Sequence, residues 1–71
     1  MSRNDVKVSY EPLWFLLIKR NIKKSELQRR TGISASTFTK MSKNEYVSLD
    51  VLARLCISLD CGLDDIVSII Q

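Results

Sequence analysis

Apolar positions along this chain recur with two different periods. Val6-Lys7-Val8-Ser9-Tyr10 alternates apolar and polar residues, the period of a strand. From Pro12 onward the spacing becomes helical. Leu13, Trp14, Leu17 and Ile18 form a stripe, flanked by Phe15 and Leu16, that predicts a helix from about Pro12 to Arg20. Pro12 suits its first turn, and Lys19, Arg20 and Asn21 suit its end. Ile22 is expected to pack inward from the following turn. A second helix is predicted from Lys24 to Thr31, with Leu27 inward and Gly32 as its left-handed stop. Ser34 is a good N-cap for a third, from Ala35 to Ser42, with Phe38 and Met41 inward. Asn44 tolerates a left-handed turn and closes it. Ser48 caps a fourth helix, Leu49 to Leu59, with Asp50 in its first turn. Its expected inward stripe is Leu49, Leu52, Ala53, Cys56 and Leu59. After Gly62 a fifth helix is predicted from Leu63 to Ile70, with Asp64 and Asp65 in its first turn and Ile66, Ile69 and Ile70 inward. Five short helices with tight connections predict an all-α domain.

The alternating segment needs a partner, because a lone strand is not stable in water. Two arrangements suit it: pairing with its own copy in a second chain, or lying as an extended arm on the helices. Residues 1–5 are polar and expected to be loose. The expected organisation is therefore an N-terminal arm or short strand over residues 1–9 and a folded domain over 10–71.

Length narrows the function. The chain has 71 residues, enough for one modest core and too few for an enclosed active site with its own supporting shell. Only two Gly and one Pro occur, which sets aside linkers, collagen-like repeats and low-complexity tails. The longest apolar run, Leu13 to Ile18, has six residues, far short of a bilayer span, and no signal-peptide core follows Met1. A cytoplasmic location is expected. There is no His, and Cys56 and Cys61 are the two cysteines. Zinc lacks its usual four ligands and Cys–His chemistry is impossible. The cysteines read either as a redox pair or as a small core residue and a turn residue, both reduced. No Gly-rich phosphate loop or carboxylate cluster is visible, so no enzyme, metal, cofactor or small-molecule ligand is expected.

Charge changes the picture only when it is divided along the chain. Residues 1–44 hold ten Lys/Arg and three Asp/Glu, while residues 45–71 hold one and five. This polarity points to an anionic partner for the first part, with double-stranded DNA the leading candidate. The segment Lys24 to Met41 supplies the means: a helix, a short glycine turn and a second helix, anchored by Leu27, Ile33, Phe38 and Met41. The second helix packs through one face only. Its free face is Ala35, Ser36, Thr37, Thr39 and Lys40, small or polar residues suited to close approach and to base-edge contacts. No acid occurs from Gly32 to Lys43. Lys23, Lys24, Arg29, Arg30 and Lys43 surround this face as candidate phosphate contacts, and amides at the start of the second helix could add neutral donors. Arg29 and Arg30 are adjacent on a helix, so one of the two, Arg29, is taken to face DNA.

These residues carry a resemblance. From Tyr10 to Ile70 the chain resembles the phage-repressor/Cro-type helix-turn-helix family of bacterial regulators. The nearest likeness is to short single-domain members with a Ser-Tyr-Glu-Pro-Leu-Trp opening, here Ser9 to Trp14. Thr31-Gly32-Ile33-Ser34, Ser36-Thr37-Phe38, Lys43-Asn44-Glu45, Ser48-Leu49, Leu59-Asp60-Cys61 and Asp64-Asp65-Ile66-Val67 match in order and spacing. The resemblance implies a five-helix lambda-repressor-like DNA-binding domain. By position it puts base reading on Ala35, Ser36, Thr37 and Lys40, with Thr39 beside them, and phosphate contacts near Lys23, Lys24 and Lys43. Two positions depart from the pattern. Gln28 stands where the family favours Ala in the middle of the second helix, and Lys23 where the helix cap is usually Ser or Thr.

The expected function is that of a bacterial or phage transcriptional regulator, a repressor, acting as a homodimer on two half-sites about one helical turn apart. Residues 6–10 and the C-terminal helix are the candidate dimer surfaces. The competing reading is a protein-interaction module of the same fold, antitoxin-like or an adaptor, presenting Phe15, Val67 and Ile70.

Overall fold

Leu13 and Leu17, one turn apart, lie buried on the first helix and set its inward face. The computed structural model describes residues 7–70. Its elements are strand β1 (Lys7–Ser9), helices α1 (Glu11–Arg20), α2 (Lys24–Thr31), α3 (Ala35–Ser42) and α4 (Leu49–Leu59), a 3-10 turn (Leu63–Asp65) and strand β2 (Ser68–Ile70). α2, α3 and α4 have the bounds that the periodicity predicts, and α1 begins one residue earlier, at Glu11. Both serine caps form: Ser34 accepts from the amide of Thr37 at 3.3 Å and Ser48 from that of Val51 at 3.2 Å. The left-handed positions include Gly32 and Asn44, as expected, with Asn21 and Asp60 besides.

The largest departure is at the C-terminus. The expected fifth helix, Leu63 to Ile70, is instead a 3-10 turn followed by β2. The architecture is therefore four helices and a two-stranded antiparallel ribbon, with Lys7 opposite Ile70, Val8 opposite Ile69 and Ser9 opposite Ser68. Ile66, Ile69 and Ile70 have helical spacing, but the segment is rich in β-branched residues, which lose side-chain freedom in a helix and suit a pleated surface. A strand partner already waits in β1. The same pairing gives the N-terminal strand a partner within its own chain, so it is not an unpaired arm. Ile66 is buried, as expected, while Ile69 and Ile70 are exposed. Val6 and residues 1–5 lie outside the described residues.

The core joins every helix. Leu27 from α2, Ile33 from the turn, Phe38 and Met41 from α3, Leu55 and Leu59 from α4 and Ile66 close around Leu13 and Leu17. Two helix faces differ from expectation. On α4 the inward residues are Leu55 and Leu59, with Val51, Leu52 and Cys56 beside them, while Leu49 and Ala53 are exposed. Eight of its positions are apolar (Leu49, Val51, Leu52, Ala53, Leu55, Cys56, Ile57, Leu59), so spacing leaves its rotation undetermined. On α1, Leu13 and Leu17 are buried but Ile18 is 76% exposed, because the six-residue apolar run also wraps past the inward face. Ile22 packs against the core as expected, and Cys56 and Cys61 are both free thiols.

Tyr10 ties the start of α1 to the far loop. Its hydroxyl donates to the carbonyl of Glu45 at 2.8 Å, and its backbone N–H donates to Asn44 Oδ1 at 3.2 Å. Asn44 thus makes a left-handed turn and holds a distant amide at once. Ser9 Oγ accepts from the amide of Glu11 at 3.2 Å, which satisfies one of the unpaired donors of α1.

Candidate nucleic-acid interface

α2 begins without a side-chain cap, since Lys23 stands at that position and makes none. The end of α2 is better secured. Thr31 Oγ1 donates to the carbonyl of Leu27 at 2.8 Å and accepts from the amide of Ile33 at 3.3 Å. Gly32, at φ 71, returns its N–H to the carbonyl of Gln28. These bonds fix a three-residue connection, and Ile33 is buried within it. α3 then starts at its Ser34 cap and docks through Phe38 and Met41, on consecutive turns.

The remaining face of α3 carries the predicted base-reading residues. Ala35, Ser36, Thr39 and Lys40 are exposed and Thr37 is half-buried. Their hydroxyls are already engaged. Ser34 Oγ lies 3.0 Å from both Ser36 Oγ and Thr37 Oγ1, and Thr39 Oγ1 donates to the carbonyl of Ala35 at 3.1 Å. Thr39 is exposed, and with its hydroxyl proton committed its oxygen is left as an acceptor. Ser36 and Thr37 turn back toward the cap, so new partners must be made from an ordered hydroxyl cluster.

The cations separate into distinct settings. Arg30 forms an ion pair with Glu26 one turn earlier, which compensates its charge. Arg29 is exposed and shares a shallow hollow with Ser25, Gln28, Gly32, Ile33 and Ser34, at the junction of α2 and α3. This placement distinguishes the two neighbouring arginines. Gln28, the departure in the middle of α2, is half-buried at the margin of that hollow. Lys24 holds its ammonium 4.1 Å from the ring centroid of Trp14, a cation–π contact that lays it against α1. Lys23 and Lys43 are exposed.

Tyr46 lies outside the set that the sequence suggests, yet it lines two hollows. One it shares with Thr37, Lys40 and Ser48, the other with Lys7, Lys43 and Asn44. It is 68% exposed. An aromatic residue in a polar loop next to lysines is the signal that could have found it. Together these parts make a small polar ridge, open to solvent, bordered by positive charge at Arg29, Lys40 and Lys43. Such a ridge can offer hydrogen bonds to base edges and charge to phosphates.

Comparison with known proteins agrees with this geometry. Residues 12–71 match the family model of the Cro/C1-type HTH DNA-binding domain. The crystal structure of the transcriptional regulator VanUg (form II) is similar to this chain at 45% sequence identity and a TM-score of 0.93, covering 100% of this chain and 95% of that one. No curated protein matches the chain significantly. Among the described residues, no helix is long and apolar enough to cross a membrane. A family match over residues 12–71, and a helix pair whose second member leaves a polar face free, place the chain in the Cro/C1-type helix-turn-helix DNA-binding domains.

Proposed function

We propose that this protein is a transcriptional regulator that binds double-stranded DNA sequence-specifically, as a repressor. α3 enters the major groove, where Ala35, Ser36, Thr37, Thr39 and Lys40 read base edges. Lys23, Lys24, Arg29 and Lys43 hold phosphates. The observation that carries the proposal is the one-sided docking of α3: Phe38 and Met41 are buried, while the exposed residues around them include no acid from Gly32 to Lys43. The similarity to a protein described as a transcriptional regulator supports the same reading.

Two copies act together in this proposal, because one small module gives little affinity, and half-sites one turn apart match a two-fold axis. Within the expected dimer surfaces, residues 6–10 and the C-terminal helix, the described residues 7–9 and 68–70 pair in one ribbon, so the partner copy would meet that ribbon as a unit. Selection of bound duplexes from a random pool, followed by affinity measurements at several salt concentrations, tests the function. An enriched two-fold symmetric motif and a falling affinity with salt are expected. No enrichment and no salt dependence would overturn it.

A second reading has one observation in its favour. Phe15 and Ile70 are 61% and 48% exposed and line one hollow with Pro12, Ser9, Glu11 and Ser68, a patch of mixed apolar and polar side chains on the ribbon side. Val67, expected with them, is half-buried against the core. A protein-interaction module would use that patch. Pull-down with and without nuclease separates the readings: retention of DNA favours the regulator, and a stoichiometric protein with no DNA favours the module.

A further inference from the structure

α4 ends in a turn built from two crossed backbone bonds. Asp60, at φ 52, directs its N–H to the carbonyl of Ile57 at 3.4 Å, and the N–H of Cys61 reaches the carbonyl of Cys56 at 3.0 Å. This is the Schellman arrangement, in which the residue after the left-handed position meets the residue five places earlier. In this motif an apolar pair frequently makes that contact. Here both positions are cysteines. The thiols are free and half-buried at the edge of the core. Arg20, from α1, donates to the carbonyl of Leu59 and pins the same turn from the other side. The pair takes no part in the proposed DNA interface. Ser48, which shares a hollow with Thr37 and Lys40, precedes the opposite end of α4, and 11 residues of helix span about 16 Å.

We propose that Cys56 and Cys61 form a reversible redox modification site, closing to an intramolecular disulfide by exchange with a low-molecular-weight disulfide. One cysteine thiolate attacks a sulfur of the incoming RS–SR and expels RS⁻, leaving a mixed disulfide. The second cysteine attacks the protein sulfur of that bond, forms the Cys56–Cys61 bond and releases the second RS⁻. The two cysteine protons end on two RSH, and two electrons pass from the cysteines to the incoming disulfide. The crossed backbone bonds hold the two positions together before and after the step, so closure needs no unfolding of the helix end. The bond ties the end of α4 to the segment leading into β2 and leaves the exposed face of α3 untouched.

The test uses the full chain in buffers of graded reduced and oxidised glutathione, quenched by alkylation and read by intact mass. A product lighter by two hydrogens, with neither thiol alkylated and no linked chains, is expected. In Cys56→Ser and Cys61→Ser the remaining thiol should instead keep a bound glutathione. Lasting glutathione adducts on the wild type, full alkylation in the most oxidising buffer, or disulfide-linked dimers would overturn the proposal. Phenylarsine oxide gives a measure that needs no variant. It should bridge the reduced wild type once, with loss of one water, and the absence of that adduct would equally overturn the site.

Discussion

Gly32 is the joint between α2 and α3, and the cost of a side chain there can be worked out from its surroundings. Its φ of 71 lies in the left-handed region. A Cβ in that region crowds the following carbonyl oxygen, at a cost of ~1–2 kcal/mol. A Cβ built at Gly32 meets nothing within 4 Å beyond its chain neighbours, so no tertiary clash adds to that strain. Alanine also removes freedom from the unfolded chain, which offsets ~0.4–1 kcal/mol. Gly32→Ala should therefore lose about 1 kcal/mol of stability, or roughly 4–8 °C in Tm for a domain of this size. Gly32→Asn should lose less, because asparagine adopts this conformation elsewhere in the chain, at Asn21 and Asn44. Urea and thermal unfolding of the wild type and both variants measure the losses, with DNA binding measured well below the transition. Affinity should be unchanged, since the joint takes the extra carbon without moving. A loss above about 3 kcal/mol, or a folded alanine variant that no longer binds DNA, would refute the reasoning, because either result means that the space at the joint is closed.

Other predictions concern the interface and the core. Lys40→Ala or Ser36→Ala should change which sequences bind, while Lys43→Ala should weaken all sequences alike and lower the salt dependence; selection repeated at several salt concentrations reads both, and identical behaviour would sink the assignment. Lys23→Ser should give α2 its missing cap and ~0.5–1 kcal/mol in urea unfolding, while DNA affinity falls; a variant that gains stability and keeps its affinity would remove Lys23 from the phosphate contacts. Tyr10→Phe deletes the hydroxyl that donates to Glu45 at 2.8 Å and should cost ~1 kcal/mol, with an unchanged unfolding midpoint as the contrary result. Burial pushes the Cys61 thiol and the Tyr10 phenol up. Both groups then bind protons more tightly in the folded state than in the unfolded one, so stability falls as pH rises past 9.0 for Cys61 and past 10.0 for Tyr10. Unfolding measured from about pH 8 to about pH 11 should show that decline, and a flat profile would contradict it.

The helix pair was legible because its signals are local and agree. Leu27, Gly32, Ser34, Phe38 and Met41 each act within a few residues of themselves, and together they fix two element ends and two inward faces. α4 was legible in extent but not in rotation. Its caps are local, whereas its rotation depends on which of several overlapping apolar stripes finds the better partner across the core. The C-terminal segment failed for a related reason. Ile66, Ile69 and Ile70 satisfy a helical spacing, and the fact that decides against it, the presence of β1, lies at the other end of the chain. At the interface, the residue types on α3 follow from sequence, but the division between Arg29 and Arg30 depends on where Glu26 and the α2–α3 junction sit. Tyr46 was passed over because it belongs to no periodic pattern.

The β1–β2 ribbon bears on the order in which this chain folds. It joins position 7 to position 70, and closing so long a loop costs entropy that three residue pairs cannot offset by themselves. The ribbon must therefore assemble on a helical body that has already brought its two strands close. It is expected to form last and to open first. Its opening would expose the backbone groups that pair β1 with β2 while α2 and α3 stay packed through Leu27, Phe38 and Met41. The helix pair proposed to read DNA thus belongs to the local, fast-forming unit of the fold, and the β1–β2 ribbon to a late and separately reversible one.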